Sequence, residues 1–294
     1  MLRLAFSPCP NDTYMFYGLL QDPEWRDRLA PSLADIAELN RLAASGEVEI
    51  AKVSCAEALR LEATHEILAA GAALGRGCGP LLVARRQHSA DELAEGEILV
   101  PGFSTTAFVL LQGFLGLQFR PREKLFSAIM PALAAGEAEA GLIIHESRFT
   151  YRQHGLLLVR DLGEWWEAET GLPIPLGCIV ARRDLPVSLR REFSAALGRS
   201  VALARSRPWR EQPELAAFIR RHAQELSDEV LDQHIHTYVS AESVELSDEG
   251  RKALERLRRM LTGRGNESAA LAPDTPALSL AGHNPQENPH EPQS

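Results

Sequence analysis

Four strand-like segments of this chain end abruptly in polar residues, and this recurrence constrains the fold more than any other feature. The apolar or alternating segments are residues 2–6, 48–53, 98–102 and 142–144. The polar groups that follow them are residues 7–13, 54–56, 104–107 and His145. In an α/β sheet, positions just beyond the carboxyl ends of strands face the crevice where ligands bind. The pattern therefore predicts an α/β fold with a ligand cleft at these four junctions.

The order of the segments predicts two lobes. Strands and helices alternate through the first 185 residues, whereas the chain after Val187 has helical periodicity only. A strand at 178–181 can return the chain to the first lobe. We expect one lobe from residues 1–90 plus 180–265 and the other from 95–175. Residues 266–294 hold five prolines and neither Lys nor Arg, which predicts a disordered C-terminal tail.

Composition narrows the class of protein. The net charge of −9 without a basic run argues against a nucleic-acid partner. The longest apolar stretch, residues 98–117, is broken by Pro101, Gly102 and Gln112, so we expect no membrane insertion. The N-terminus enters a strand pattern at once, without a charged leader, which indicates a cytoplasmic protein. The sequence leaves the oligomeric state open.

Neither a metal nor a nucleotide cofactor is predicted. The cysteines show no C-x-x-C spacing and are interpreted as reduced, small, half-buried thiols: Cys9, Cys55, Cys78 and Cys178. His234 and His236 stand two residues apart in a helical pattern and so point to different faces. The glycine-rich residues 74–80 lack both the Lys-Ser/Thr pair and the strand-then-helix setting of a phosphate loop.

His145 and Ser54 are the first candidates for chemistry. A histidine has an ordinary pKa near ~6.5, so one at a cleft can act as a base near neutral pH. The alternative for His145 is a structural hydrogen bond to a loop. Ser54 with Glu57 matches a capping box, and the N–H groups of such a turn suit a carboxylate ligand. Taken alone, Ser54 is better explained as a helix cap.

Four motifs resemble one enzyme family. They are SPCPNDT at 7–13, GAALGRG at 71–77, HESRFTY at 145–151 and DLGEWW at 161–166. They are similar to the 1,4-dihydroxy-6-naphthoate synthases of the futalosine route to menaquinone, and the resemblance covers about residues 1–262. It implies a periplasmic-binding-protein-like (type II) clamshell. It also implies a lyase that cleaves cyclic dehypoxanthine futalosine to 1,4-dihydroxy-6-naphthoate, releasing the sugar-derived fragment.

The resemblance also implies roles for particular residues. The proton acceptor of the family falls on His145, and its substrate-binding positions fall on Ser54, Cys55, Ala56, Thr106 and Ala107. Family members often carry Tyr or Phe where this chain has Cys55, so a backbone contact would survive there but a ring contact would not. Asn11, Asp12 and Asn40 are weaker candidates for the cleft wall, and Asp12 is better explained as a helix cap. The substrate is a small carboxylate, and no cofactor is needed because aromatisation supplies driving force.

Two other functions remain open at this point. One is the related chorismate dehydratase of the same pathway, which shares the clamshell, although the 145–151 motif favours the naphthoate synthase. The other is a non-catalytic carboxylate-binding protein. Such proteins are normally exported or lipid-anchored, and we find neither a signal peptide nor a lipobox cysteine in this chain.

Overall fold

The structure is a computed structural model that describes residues 1–88, 90–116, 119–223 and 227–263. The predicted tail, residues 266–294, lies outside the described residues. The strands are β1 Leu2–Phe6, β2 Leu29–Leu33, β3 Ile50–Ser54, β4 His65–Ile67, β5 Ala73–Gly75, β6 Leu81–Ala84, β7 Glu97–Val100, β8 Arg120–Glu123, β9 Ala140–Ile143, β10 Leu157–Asp161 and β11 Ile174–Arg182.

Helices follow most of these strands, as the alternating pattern predicts. They are α1 Pro10–Gln21, α2 Ile36–Ala44, α3 Cys55–Arg60, α4 Ala90–Glu95, α5 Thr106–Leu115, α6 Phe126–Ala135, α7 Ser147–Thr150, α8 Leu162–Thr170, α9 Val187–Arg205, α10 Pro213–His222, α11 Asp228–Tyr238, α12 Ala241–Val244 and α13 Asp248–Leu261. Short 3-10 helices span Tyr151–His154 and Trp209–Glu211. Among the residues described, none of the helices combines the length and hydrophobicity that a membrane span requires.

The strands form two separate sheets, which confirms the predicted α/β fold with two lobes. The first has the order β2-β1-β3-β11-β4, with β5 also paired to β11. The second has the order β10-β6-β9-β7-β8. In the first sheet β1 runs parallel to β2 and β3, and in the second β7 runs parallel to β8 and β9. Parallel neighbours end at the same edge, so the polar junctions after β1 and β3 come together.

The chain passes between the sheets twice, once between β5 and β6 and once between α8 and β11. Strand β6, Leu81–Ala84, pairs with β9 and β10 in the second sheet, although the sequence analysis placed residues up to 90 in the first lobe. We propose that the lobes divide at the two crossings. Residues 1–78 and 174–263 then form the first lobe and residues 79–173 the second.

Neither Asp12 nor Ser54 makes the helix-capping hydrogen bond that the sequence analysis expected. Helix α1 begins at Pro10 with Cys9 as its N-cap, because proline is well suited to the first helical position. Asp12 therefore lies inside the first turn and does not cap the helix. Ser54 is the N-cap residue of α3, but its side chain makes no capping hydrogen bond. Its hydroxyl instead accepts a hydrogen bond from the Asn40 side chain (3.1 Å).

Packing against α1 places α11 beside the junction after β1. Helices α9, α10 and α11 all contact α1. The aromatic rings of Phe6 and Phe16 stack with centroids 4.5 Å apart and anchor α1 on β1. Ser200 of α9 accepts a hydrogen bond from Leu19 N (3.0 Å) and donates one to Met15 O (2.9 Å). The helical C-terminal region is thus part of the first lobe's core and carries α11 to the cleft.

Two glycines let the loop before β6 contact the start of α8. A Cβ atom on Gly79 would lie 2.2 Å from Gly163 N, and one on Gly163 would lie 2.7 Å from Gly79 N. Arg148 fastens this contact, since its guanidinium donates to Gly79 O and to Asp161 Oδ2 (2.8 Å). Asp161 in turn accepts from Gly163 N (2.8 Å) and caps α8. No side chain fits between these backbones.

We expect Gly79→Ala to destabilise the fold by about 2–3 kcal/mol, because the new methyl group meets backbone atoms that cannot rotate away. Gly75→Ala is the matched control. Its Cβ would meet Cys78 Sγ at 3.5 Å, an ordinary contact. Urea unfolding of both variants measures the free energy of unfolding. Equal stability of the two variants would contradict the proposed close backbone contact.

Candidate active site

A cavity lies where the polar junctions of the two sheets meet. Among the predicted residues, His145, Ser54, Thr106 and Ala107 line it, as do the weaker candidates Asn11 and Asp12. Within the part of the chain that the structure describes, the lining residues are Ser7, Asn11, Asp12, Ile36, Lys52, Ser54, Ala73, Cys78, Gly79, Pro80, Thr105, Thr106, Ala107, Ile144, His145, Leu176, Gly177 and Tyr238. An apolar wall with a few convergent polar groups is the usual composition of a small-molecule site.

Cys55 and Ala56 lie beside the cavity but not on its wall. The Cys55 thiol is buried in the core, where burial and a hydrogen bond with Cys178 raise its pKa well above the ordinary value. The Ala56 N–H donates to Thr106 Oγ1 (3.1 Å), and Thr106 Oγ1 donates to Leu176 O (3.0 Å). The N–H group of Ala56 is therefore already hydrogen-bonded to a residue of the opposite lobe.

Asn40 makes a second connection between the lobes. Its amide nitrogen donates to Ser54 Oγ (3.1 Å) and to Ser104 Oγ (2.9 Å), and its oxygen accepts from Ser54 N (2.9 Å). Ser54 follows β3 of the first sheet, and Ser104 precedes α5 in the second lobe. The predicted ligand groups of the two lobes are therefore bonded to each other. A ligand that binds these groups must replace bonds that close the cleft.

His145 turns its ring toward the cavity through an unusual backbone conformation. Among the described residues it is the one non-glycine with a positive φ, +55°. A left-handed conformation costs a non-glycine residue roughly 1–2 kcal/mol, and such strain is concentrated at functional sites. The ring packs edge-on against Phe126, with centroids 5.1 Å apart, and lies nearly parallel to the His234 ring at 6.2 Å.

The surroundings keep the His145 imidazole neutral. The pKa of His145 is lowered to about 4, chiefly by burial; the Asp12 and Asp35 carboxylates oppose the shift, and the Lys52 ammonium adds to it. A neutral imidazole has a lone pair that can accept a proton. His145 is thus in the protonation state that a general base requires at neutral pH.

A buried ion pair forms the floor of the cavity. Lys52 Nζ lies 3.1 Å from Asp12 Oδ1, and the two side chains are 5% and 2% exposed. Lys52 also donates to Gly71 O (3.0 Å). Asp12 accepts from Ser7 Oγ (2.7 Å) and Asn11 Nδ2 (2.9 Å). Both charges are therefore compensated, as buried charges must be.

The sequence analysis did not name Lys52 or Tyr238, and it considered His234 only as a metal pair with His236, which it rejected. The signal that could have identified Lys52 is its charge, because a lysine is unusual inside a buried strand such as β3. His234 and Tyr238 stand four residues apart on α11, which places them on one helix face. His234 is fully buried and its Nε2 lies 2.8 Å from Asn11 Oδ1, whereas the His236 side chain is 75% exposed. The Tyr238 hydroxyl donates a long hydrogen bond to His145 O (3.5 Å).

The fold also brings together three residues with donor atoms suited to a metal. The donor atoms of Cys9, His145 and Glu146 all lie within 4.8 Å of one another. The sequence analysis found no such group, because Cys9 is far from the other two in the chain. All four cysteines are free thiols, and they are buried rather than half-buried.

Comparisons with known proteins point to one family. A family model described as "Menaquinone biosynthesis" matches residues 2–262. A "1,4-dihydroxy-6-naphtoate synthase" of Thermus thermophilus is 48% identical over 90% of this chain and 95% of that protein. One of the same name from Streptomyces coelicolor is 38% identical over 94% of this chain and 98% of that protein.

Solved structures confirm the predicted type II periplasmic-binding-protein-like clamshell. An Archaeoglobus fulgidus protein superposes with a TM-score of 0.82 at 34% identity, covering 90% of this chain and 97% of its own. The alkanesulfonate-binding protein of Xanthomonas axonopodis pv. citri has a TM-score of 0.64 at 15% identity, covering 93% of this chain and 94% of its own. At that identity the second likeness concerns the fold alone.

We expect Lys52→Met to destabilise the protein by about 3–5 kcal/mol, because it leaves the Asp12 carboxylate buried without its counter-charge. Replacing both residues, with Asp12→Asn added, should recover much of the loss. Lys124→Met is the control, since Lys124 pairs with Glu137 at the surface and its loss should cost less than about 1 kcal/mol. Urea unfolding of the four proteins, wild type included, tests this. A double variant no more stable than Lys52→Met would contradict it.

The low pKa of His145 gives a testable pH dependence. A reaction that needs neutral His145 should keep its rate as pH falls from 7 to 5 and lose it with a midpoint near pH 4, not 6.5. The measurement is kcat/KM against pH. The fold must be checked at each pH by circular dichroism, because the same pKa shift affects folding.

Between pH 6.5 and about 4 the His145 side chain binds a proton in the unfolded chain but not in the folded one, so acid reduces the stability of the folded state in that window. A midpoint near 6.5 with intact structure would contradict the assignment.

Proposed function

This chain belongs to the menaquinone biosynthesis family, and we propose that it is a carbon–carbon lyase which converts cyclic dehypoxanthine futalosine into 1,4-dihydroxy-6-naphthoate. The observation that carries this proposal is the 48% identity to a relative named for that product, over 95% of the relative's length. We place the reaction in the cytoplasm, as the sequence analysis predicts. The substrate is a small carboxylate, as expected from the same analysis.

In the proposed reaction His145 is the general base. A ring carbon of the substrate gives its proton to the neutral imidazole, a carbon–carbon bond then breaks, and the ring becomes aromatic. A pKa of about 4 makes His145 a weak base, so the transfer needs help from its surroundings. The Lys52 ammonium in the same cavity supports the proposal, because it can stabilise negative charge that develops on a substrate oxygen.

The hydroxyl-bearing junctions are proposed to hold the substrate oxygens. Ser54, Thr106 and Ala107 line the cavity and can contact a ligand directly. Cys55 and Ala56 can bind the substrate through their backbone groups. The Ala56 N–H is free to do so only when its hydrogen bond to the Thr106 hydroxyl breaks. The apolar wall, which includes Ile36, suits the carbon skeleton of a bicyclic substrate.

We expect His145→Ala to lower kcat by a factor on the order of 10² or more while the fold stays intact, because the variant loses the proton acceptor. The assay is the appearance of 1,4-dihydroxy-6-naphthoate from cyclic dehypoxanthine futalosine, followed by chromatography with mass detection. His236→Ala is the matched control, since that side chain is exposed. Near-normal turnover by His145→Ala would remove it as the essential base.

The same assay separates the alternative functions. Wild-type protein incubated with chorismate should leave it unchanged, and loss of water would instead support a dehydratase. If cyclic dehypoxanthine futalosine were bound but recovered intact after long incubation, the chain would be a binding protein. Either result would overturn the proposed lyase reaction.

A further inference from the structure

We propose that Cys9, His145 and Glu146 form a binding site for a thiophilic divalent cation, with Zn²⁺ as the best match, at the edge of the candidate active site. The cluster offers one sulfur, one imidazole nitrogen and one carboxylate oxygen, all within 4.8 Å of one another. Zinc in proteins is bound by this mixture of donors. A cation there would occupy the proposed base.

The distances are close to those of a formed site. Zinc–ligand bonds of about 2.0–2.3 Å in a tetrahedron set donor atoms roughly 3.3–3.8 Å apart. The atoms of Cys9, His145 and Glu146 need to approach by about 1 Å, which side-chain rotation can provide. The three residues come from two elements only, the turn before α1 and the turn before α7, so small movements of two turns close the site.

His234 supplies an independent observation that points to a ligand. It is fully buried, and its Nδ1 accepts no hydrogen bond from any residue that the structure describes. That nitrogen lies 3.7 Å from Glu146 Oε2, at the edge of the cluster. A buried polar atom without a partner is costly, and a cation beside it would remove the cost.

The tautomer of His234 follows from its other neighbours. The Asn11 amide nitrogen donates to Asp12 Oδ1 (2.9 Å), so its oxygen is the atom facing His234 Nε2 (2.8 Å). Nε2 must therefore carry the proton, and Nδ1 presents its lone pair. Zinc-binding histidines usually donate their second ring N–H to an oxygen in just this manner. His234 thus presents a lone pair toward Glu146 at the edge of the cluster.

The charges of the site also suit a divalent cation. When the sulfur–zinc bond forms, the Cys9 thiol releases its proton to solvent, and the sulfur binds as thiolate. One thiolate and one carboxylate balance the two positive charges of the metal, while the imidazoles bind as neutral ligands. The cavity gives access, since His145 lines it. No redox change is involved.

The consequence for catalysis rests on the proposed function. Zinc bound to His145 would take the lone pair that accepts the substrate proton, so the metal should inhibit turnover and a chelator should restore it. Binding itself does not depend on that function and is measured without substrate. Failure of one proposal is therefore distinguishable from failure of the other.

The test uses chelator-treated full-length protein. We expect calorimetric titration with Zn²⁺ to show one strong site per chain, and Co²⁺ to give the intense sulfur-to-metal absorption band of a cobalt thiolate. Cys9→Ser should lose that band and weaken zinc binding by about 100-fold or more. Cys178→Ser is the matched control, because it removes another buried thiol far from the cluster in sequence, and it should bind like wild type.

A second variant tests the site even if Cys9→Ser fails to fold. Glu146→Gln keeps the side-chain shape but removes the charge of one ligand, so it should weaken zinc binding while retaining the cobalt–thiolate band at high Co²⁺. Absence of the band in wild-type protein would overturn the proposal. So would equal zinc affinity in folded Cys9→Ser, which would place the metal elsewhere.

Discussion

The buried ion pair between Asp12 and Lys52 is the interaction on which the rest of the site depends. It joins the first turn of α1, the helix that follows β1, to the middle of β3, and the parallel strands β1 and β3 end at the same sheet edge. Through its other bonds Asp12 fixes Ser7 and Asn11, and Asn11 in turn fixes the ring of His234. One carboxylate thereby orders a cavity wall assembled from three distant parts of the chain. An isolated charge in that place would destabilise the fold instead.

Burial governs the chemistry of two histidines at this site, His145 on the cavity wall and His234 beside it. It lowers the pKa of His145 to about 4 and that of His234 well below its ordinary range, and the charge of either ring would disfavour protonation of the other. The stacked pair is therefore neutral at physiological pH. The same arrangement leaves two nitrogen lone pairs near one carboxylate, which suits proton transfer from a substrate and also binding of a soft cation.

Local sequence patterns predicted the parts of the molecule that depend on neighbours along the chain. Strand ends such as those before Ser54 and His145 were visible because apolar runs stop abruptly there, and these junctions do meet at the cavity. Lys52 and His234 were missed because their roles depend on contacts across the fold: a lysine in a strand and a histidine in a helix look ordinary until α11 packs against α1. Cys55 also depends on contacts across the fold. The sequence correctly placed it just after a strand end, but its side chain points into the core toward Cys178.

The hydrogen bond from Ala56 to Thr106 has a consequence for how the protein responds to its ligand. In this structure each lobe satisfies polar groups of the other, so a ligand at these groups competes with hydrogen bonds inside the protein. If binding requires those bonds to open, the apparent affinity equals the intrinsic affinity reduced by the fraction of molecules in which they are open. Substitutions at Thr106 would act on two quantities with opposite effects, removing a ligand contact while raising the open population. A Michaelis constant that barely changes could therefore conceal a large change in both.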